Sequence, residues 1–368
     1  MFILKQKPED FIVRENMYFV PQKNGKYAYF LLTKKNWDTL KAIDKIADIL
    51  KVSRKNFSFS GLKDKNSVSS QYICCNSSYK PKLAKLKIKD IKLKFIGYSD
   101  KQLNIGSNKS NSFKIVVRKL RDPLSPVKFV CNYYDDQRFG FMRPINHLIG
   151  KELLKGNLEK AIKLYLASPC KNETEEHKDF RKKLEQRWGE FDVFIPGYLE
   201  NEVRVVRFLR RNPDDFAGAL NTIPGRIKRL FVNAFQAYIF NKTLDAYIRK
   251  TYSKSDTFTI NYSLGKLACI DTPIEAQIPL PGFDLGKYDT CSCYSIVKKL
   301  LKEEGIKTSM FGKVKASIRY ACFGIANLKI SKPTGDDLNK GYIKQTVQFT
   351  IPSGSFATIV IKSLACKK

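Results

Sequence analysis

From Asp10 to Glu15 the chain sets apolar among charged residues roughly as a half-buried strand does, and β-favouring runs follow at Tyr27–Leu32, Val68–Cys75, Ile91–Tyr98 and Phe113–Arg118. A period of two sends successive side chains to opposite faces, so each run predicts a strand. After the second strand, Leu40, Ile43, Ile46, Ala47 and Leu50 recur at helical spacing, and Asn36 stands where it can cap that helix. The apolar face of this helix is expected in the core. A stretch rich in Ser, Asn and Gly, residues 99–111, predicts the connection between the last two strands.

The pattern then changes. Residues 148–167 have helical apolar spacing, and residues 173–188 are so highly charged that an exposed helix is expected. Within 226–250, Leu230, Phe231, Ala234, Phe235, Tyr238 and Ile239 form a strong helical stripe flanked by Arg and Lys. After Met310 strand-like segments return, and residues 347–364 read as strand, turn at Pro352-Ser353-Gly354, strand. No internal repeat or low-complexity linker interrupts the chain. At 368 residues it is long for one core, and its 43% hydrophobic content can fill two.

Charge narrows the choice of partner. Lys and Arg number 67 against 35 Asp and Glu, a formal net charge of +32 spread over the whole length, which calls for a polyanion. No apolar run approaches the roughly 20 residues of a membrane span, and no basic amphipathic anchor stands out. Nucleic acid is therefore the expected partner, and a membrane is not. The start, Met1-Phe2-Ile3-Leu4-Lys5, lacks the features of a secretory signal, so the expected location is the cytoplasm. Nine cysteines without Cys-x-x-Cys spacing read as free, packed thiols. His147 and His177 are the only histidines, which leaves almost nothing for zinc sites or histidine triads. His147 is expected in a structural or RNA-facing role.

Candidate chemistry centres on Phe59-Ser60-Gly61-Leu62-Lys63-Asp64-Lys65-Asn66-Ser67, followed by Gln71. The strands on either side make 61–66 an exposed connection with one acid between two lysines. By local chemistry alone that is an ordinary solvated turn. The same arrangement would also suit an ionised carboxylate held ready as base or nucleophile. Likewise Asn132-Tyr133-Tyr134-Asp135-Asp136-Gln137-Arg138-Phe139-Gly140 joins amide, aromatic, acid and Arg chemistry, although adjacent aromatics are often core.

The string Gly-Leu-Lys-Asp-Lys with Gln71 resembles the signature of TruD-type tRNA pseudouridine synthases. Pro8-Glu9-Asp10-Phe11-x-Val13-x-Glu15 matches every specified position of that family's amino-terminal motif, and 132–140 is similar to its Asn-aromatic-aromatic-x-x-Gln-Arg-Phe-Gly element. Further resemblances lie at Asn233–Asn241, Ile278–Phe283, Lys302–Ile306 and Gly354–Thr358. Arg319 falls in a Gly-x-x-Arg element, with Ala316 in place of the Gly.

The resemblance implies an α+β pseudouridine-synthase domain with a mixed or antiparallel sheet, from residues 1–147 and 310–368. A mostly helical insertion, 148–309, interrupts it. It further implies catalysis by Asp64 as nucleophile or base, with Lys5 keeping it ionised. Phe11, Asn132, Tyr134 and Phe356 would contact a flipped-out uridine, most expectedly uridine 13 of tRNA. No metal or organic cofactor is called for, and a monomer is expected. A non-catalytic RNA-binding protein or RNA chaperone would share the basic surface. A protein-interaction module would leave both the charge and the Asp64 loop unexplained.

Overall fold

The computed structural model describes residues 2–367. The chain divides into two compact units, Met1–Lys128 with Phe323–Lys368, and Phe129–Cys322. The expected domain boundaries, 147/148 and 309/310, both fall inside the second unit.

The first unit is built on a nine-stranded sheet. Its main path runs through Ala326–Ile330, Ile343–Pro352, Ser110–Leu120, Phe11–Asn16, Val68–Asn76, Tyr27–Lys35 and Ile91–Ser99. Phe11–Asn16 lies parallel to Val68–Asn76, and the neighbouring pairs are antiparallel, so the sheet is mixed as expected for this α+β chain. Register joins the two ends of the chain: Phe11 faces Ile115, and Ile115 faces Val347. The alternation seen in sequence becomes burial, with Phe11, Val13 and Glu15 inward on one strand and Phe30, Leu32 and Lys34 inward on another.

The helix Thr39–Leu50 covers the sheet, burying Ala42, Ile43, Ile46 and Ala47 with Ala28, Phe30, Leu32 and Ile73. Its cap is Asp38, whose Oδ1 accepts the Leu40 N–H at 2.8 Å and the Lys41 N–H at 3.3 Å. The expected cap, Asn36, instead occupies the preceding turn at φ 58°, a left-handed conformation that Asn tolerates.

A larger departure follows Pro352. The segment Ala357–Cys366 is a helix, where the pattern over 347–364 predicts a strand after the turn at Pro352-Ser353-Gly354. Burial decides against local propensity: Ala357, Val360, Ile361 and Leu364 recur at helical spacing and are buried together with Ile359. The Ser363 hydroxyl donates to the Ile359 carbonyl at 3.0 Å, and the Ser125 N–H donates to the Leu364 carbonyl at 2.9 Å.

The second unit is mostly helical. Residues 148–167 form two helices, Asn146–Lys155 and Leu158–Ala167, parted at Gly156 in the left-handed region. The charged run folds as the helix Glu175–Gln186, but it is not simply exposed. Phe180 and Leu184 enter a core, and the buried Arg181 donates to Glu173 at 2.8 Å and to the Leu166 carbonyl at 2.8 Å. The 27-residue helix Gly225–Thr251 carries the predicted stripe. It crosses Asn146–Lys155 closely at Gly150, where a Cβ would lie 2.1 Å from the Phe231 carbonyl oxygen.

His147 stacks on Tyr238 with ring centres 4.9 Å apart. Burial pulls its pKa down to about 4, which makes it a neutral core ring. All nine cysteines are free thiols. Among the described residues, no helix is long and apolar enough to cross a membrane.

Candidate active site

Asp64 sits on the loop between the strands Phe57–Phe59 and Val68–Asn76. Its carboxylate accepts a hydrogen bond from Lys5 Nζ at 2.5 Å across 59 residues of sequence. Both groups remain reachable, the Asp64 side chain 32% and the Lys5 side chain 24% exposed. The same ammonium lies 4.3 Å from the centre of the Phe11 ring, so one cation joins the acid to an aromatic face. Phe113 fixes that ring edge to face at 5.8 Å and itself stacks on Phe349 at 5.4 Å.

The segment carrying Lys5 is anchored by a buried fork. Arg118 donates Nε and Nη2 to the two oxygens of Asp10, at 2.9 and 3.0 Å, and Nη1 to Asp336 and Asp337, both at 2.8 Å. Asp10 also accepts the Lys7 N–H at 2.9 Å. Burial works against the charge on Asp336. The N–H groups of Lys119 and Leu338, the Asn339 amide and Arg118 outweigh it and hold the carboxyl down to about 2. Asp337 is held still lower in the acid range by Lys344 and Arg118.

The Asp64 loop is braced from below. Gln71 Nε2 donates to the Gly61 carbonyl at 2.9 Å, and Thr39 Oγ1 donates to Gln71 Oε1 at 2.9 Å while accepting the Lys63 N–H at 2.9 Å. Lys63 turns its ammonium inward to the buried Glu15, 2.6 Å away, whose other oxygen accepts the Tyr72 N–H at 2.9 Å. Ser67 donates to the Asp64 carbonyl at 2.8 Å. Lys34 donates to the carbonyls of Trp37, Asp64 and Lys63 at 2.6, 2.9 and 3.3 Å. Buried backbone carbonyls require donors, and here side chains supply them, so the turn has a single well-supported shape.

Lys5, Asp64 and Phe11 are thus brought together. Phe356 belongs to the same unit, half-buried in extended backbone immediately before the helix Ala357–Cys366. Asn132 and Tyr134 stand in the second unit, where they form a cluster with Arg319 and Arg138. Arg319 donates Nε to the Asn132 carbonyl at 3.0 Å and Nη2 to its side-chain oxygen at 2.5 Å, while Asn132 Nδ2 donates to the Tyr320 carbonyl at 3.0 Å. The guanidinium carbons of Arg319 and Arg138 lie 4.3 and 5.2 Å from the centre of the Tyr134 ring. Asn241 clamps the Tyr134 backbone, accepting its N–H at 2.9 Å and donating to its carbonyl at 2.8 Å. Desolvation lowers the pKa of both arginines, a sign that the two cations are held partly out of water.

The two clusters also include Lys34, Thr39, Glu15, Gln71, Arg138 and Arg319, to which sequence alone assigns no role. Glu15, Gln71, Arg138 and Arg319 lie within the motifs that carry the family resemblance, and a further signal marks Glu15 and Lys34. Glu15 and Lys34 are charged residues on the inward phase of their strands, where an apolar residue is the default. Among the described residues, no group of three or more His, Cys, Asp or Glu is placed to hold a metal.

Comparison with known proteins bears on family and fold. The sequence profile described as tRNA pseudouridine synthase D (TruD) matches residues 2–364. The tRNA pseudouridine synthase D of Aquifex aeolicus is 31% identical over 99% of this chain and 98% of its own. "Probable tRNA pseudouridine synthase D 1" of Methanococcus maripaludis is 30% identical over 97% and 98%. The crystal structure of the "Putative tRNA pseudouridine synthase D (TruD)" from Methanosarcina mazei superimposes with a TM-score of 0.71 at 29% identity, covering 98% of this chain and 93% of that one. With a profile match from one end to the other and a common fold, the chain belongs to the tRNA pseudouridine synthase D (TruD) family of isomerases.

Proposed function

We propose that this protein converts uridine to pseudouridine at position 13 of tRNA, with the Asp64 carboxylate as the reacting group. The observation that carries the reading is the Lys5–Asp64 pair at 2.5 Å, part-exposed and set against the Phe11 ring. An acid beside a cation and an aromatic face suits a substrate that is a flat base joined to a sugar.

The reaction breaks the bond between uracil N1 and ribose C1′, turns the base, and joins C5 to C1′. The C5 proton is lost and N1 gains one, so atoms and electrons balance without an outside oxidant, reductant or water. Ionised Asp64 has two routes: attack on C1′ to give a covalent sugar ester, or removal of the C2′ proton to give a glycal. In both, the uracil must leave its stack, and flat side chains such as Phe11, Tyr134 and Phe356 can replace the contacts it loses. Asn132 would hydrogen-bond the target nucleotide. The +32 charge serves the phosphate backbone.

The test is to treat unmodified tRNA with the purified protein and map pseudouridine at nucleotide resolution. Modification at position 13 is expected. Asp64→Asn should abolish it while leaving tRNA affinity within about 3-fold, since the shape survives and the reactive oxygen does not. Normal turnover by Asp64→Asn would sink the assignment.

A further inference from the structure

Lys34 is a lysine with no exposed surface, in the inward row Phe30, Leu32, Lys34 of the strand Tyr27–Lys35. Buried lysines are rare because the ammonium loses its hydration, and an opposite charge in contact is the usual compensation. Among the described residues no carboxylate lies within ion-pair distance of Lys34. Its three protons instead meet three backbone carbonyls, those of Trp37, Asp64 and Lys63. Two of the three belong to the peptide units on either side of the Asp64 α-carbon.

We propose that Lys34 is a positioning residue for the reaction at Asp64, its buried ammonium drawing these carbonyls inward so that the Asp64 side chain is presented outward in one orientation. The inference rests on Asp64 being the reacting carboxylate. Carbonyl dipoles facing one another repel, and the Lys34 ammonium offsets that repulsion by donating to both the Lys63 and the Asp64 carbonyl. Ser67 donates to the same Asp64 carbonyl at 2.8 Å and Thr39 reaches the same Lys63 carbonyl at 3.3 Å, but each supplies a single neutral donor. Lys34 brings a full positive charge to the backbone carbonyls of the turn, whereas the buried Glu15 carboxylate meets the Lys63 side chain.

The ammonium also has a weak point. Burial, the largest influence, brings its pKa down to about 8; Asp38 and Asp64 oppose that fall and Lys63 adds to it. The neutral amine that forms above this pH has two N–H donors for three carbonyls. Turnover should therefore fall as pH rises through about 8, while a substitution that cannot titrate removes that limb.

The experiment compares wild type, Lys34→Met, Lys34→Gln and Asp64→Asn by single-turnover kinetics on tRNA, with hydrogen exchange on the free proteins. Lys34→Met should lower kcat on the order of 100-fold, the cost of a small misplacement of a reacting group, with KM within about 3-fold. Exchange should quicken at the amides of 63–67 and stay slow in the flanking strands. Lys34→Gln, which keeps two donors, should recover part of the rate and lose the alkaline limb near pH 8. Wild-type kcat in folded Lys34→Met would overturn the proposal. If that variant does not fold, a Lys34→Gln protein with the wild-type alkaline limb would overturn it equally. A Lys34→Gln protein of undiminished rate would do the same while Asp64→Asn is dead. Activity in Asp64→Asn would instead remove the underlying reading of the site.

Discussion

Lys5 Nζ and an Asp64 carboxylate oxygen stand 2.5 Å apart, joining the amino-terminal segment to a loop 59 residues later. Because both side chains are part-exposed, the pair adds little to stability, on the order of 0–1 kcal/mol. A hydrogen bond to a charged group is nevertheless worth roughly 1.5–3 kcal/mol where it is needed. Lys5→Met is therefore expected to leave the melting temperature nearly unchanged and to lower turnover about 10- to 150-fold. Scanning calorimetry beside single-turnover kinetics checks this, and a variant that melts early while turning over normally would make the pair structural.

Phe356 is half-buried at the start of the helix Ala357–Cys366. Base–aromatic stacking is worth about 1–3 kcal/mol, so a ring that meets the substrate should slow turnover about 5- to 150-fold when lost. A ring that only packs would instead cost about 3–5 kcal/mol of stability on truncation to Ala. Phe356→Leu, which keeps apolar bulk, should lower the rate at saturating tRNA more than the melting temperature. The reverse pattern would confine Phe356 to the core and weaken the parallel role for Phe11.

Arg118 holds Asp10, Asp336 and Asp337. Removing it strands buried carboxylates, which typically costs about 3–5 kcal/mol. Arg118→Met should unfold at lower urea concentration at neutral pH. Asp336, depressed to about 2 from 3.8, contributes stability that is complete above 3.8 and lost as pH falls from there toward 2. In Arg118→Met the acid transition should move to higher pH. An unshifted transition would show that backbone N–H groups alone hold Asp336 ionised.

His147, depressed to about 4 from 6.5, gives a second pH signature. The unfolded chain binds a proton below 6.5 and the folded chain does not until about 4. Stability from this group is therefore present above 6.5 and lost on acidification through that window, on the order of 3 kcal/mol in all. His147→Phe keeps a flat ring against Tyr238 and should flatten the dependence of unfolding free energy on pH between 6.5 and 4. An unchanged slope would place the proton uptake elsewhere.

The sequence by itself determined the strands and helices whose apolar positions repeat clearly, and the family to which Gly61–Lys65, Pro8–Glu15 and Asn132–Gly140 belong. Periodicity reports which face of an element is buried, and for Tyr27–Leu32, Thr39–Leu50 and Gly225–Thr251 that sufficed. Tertiary structure decided what periodicity cannot carry. The run Thr358–Ile361 favours a strand locally and is a helix because its buried positions demand one. Asp38 rather than Asn36 caps a helix because Asn36 is taken into a turn. Asn132 and Tyr134 stand in the second unit through Arg319 and Asn241, partners more than 100 residues away. Glu15 with Lys63, and Lys34 with the Asp64 carbonyl, are likewise contacts between distant segments. Each charge marks its own strand as unusual, but the group that satisfies it is chosen by how the sheet and loop come together in space, and no local pattern encodes that choice.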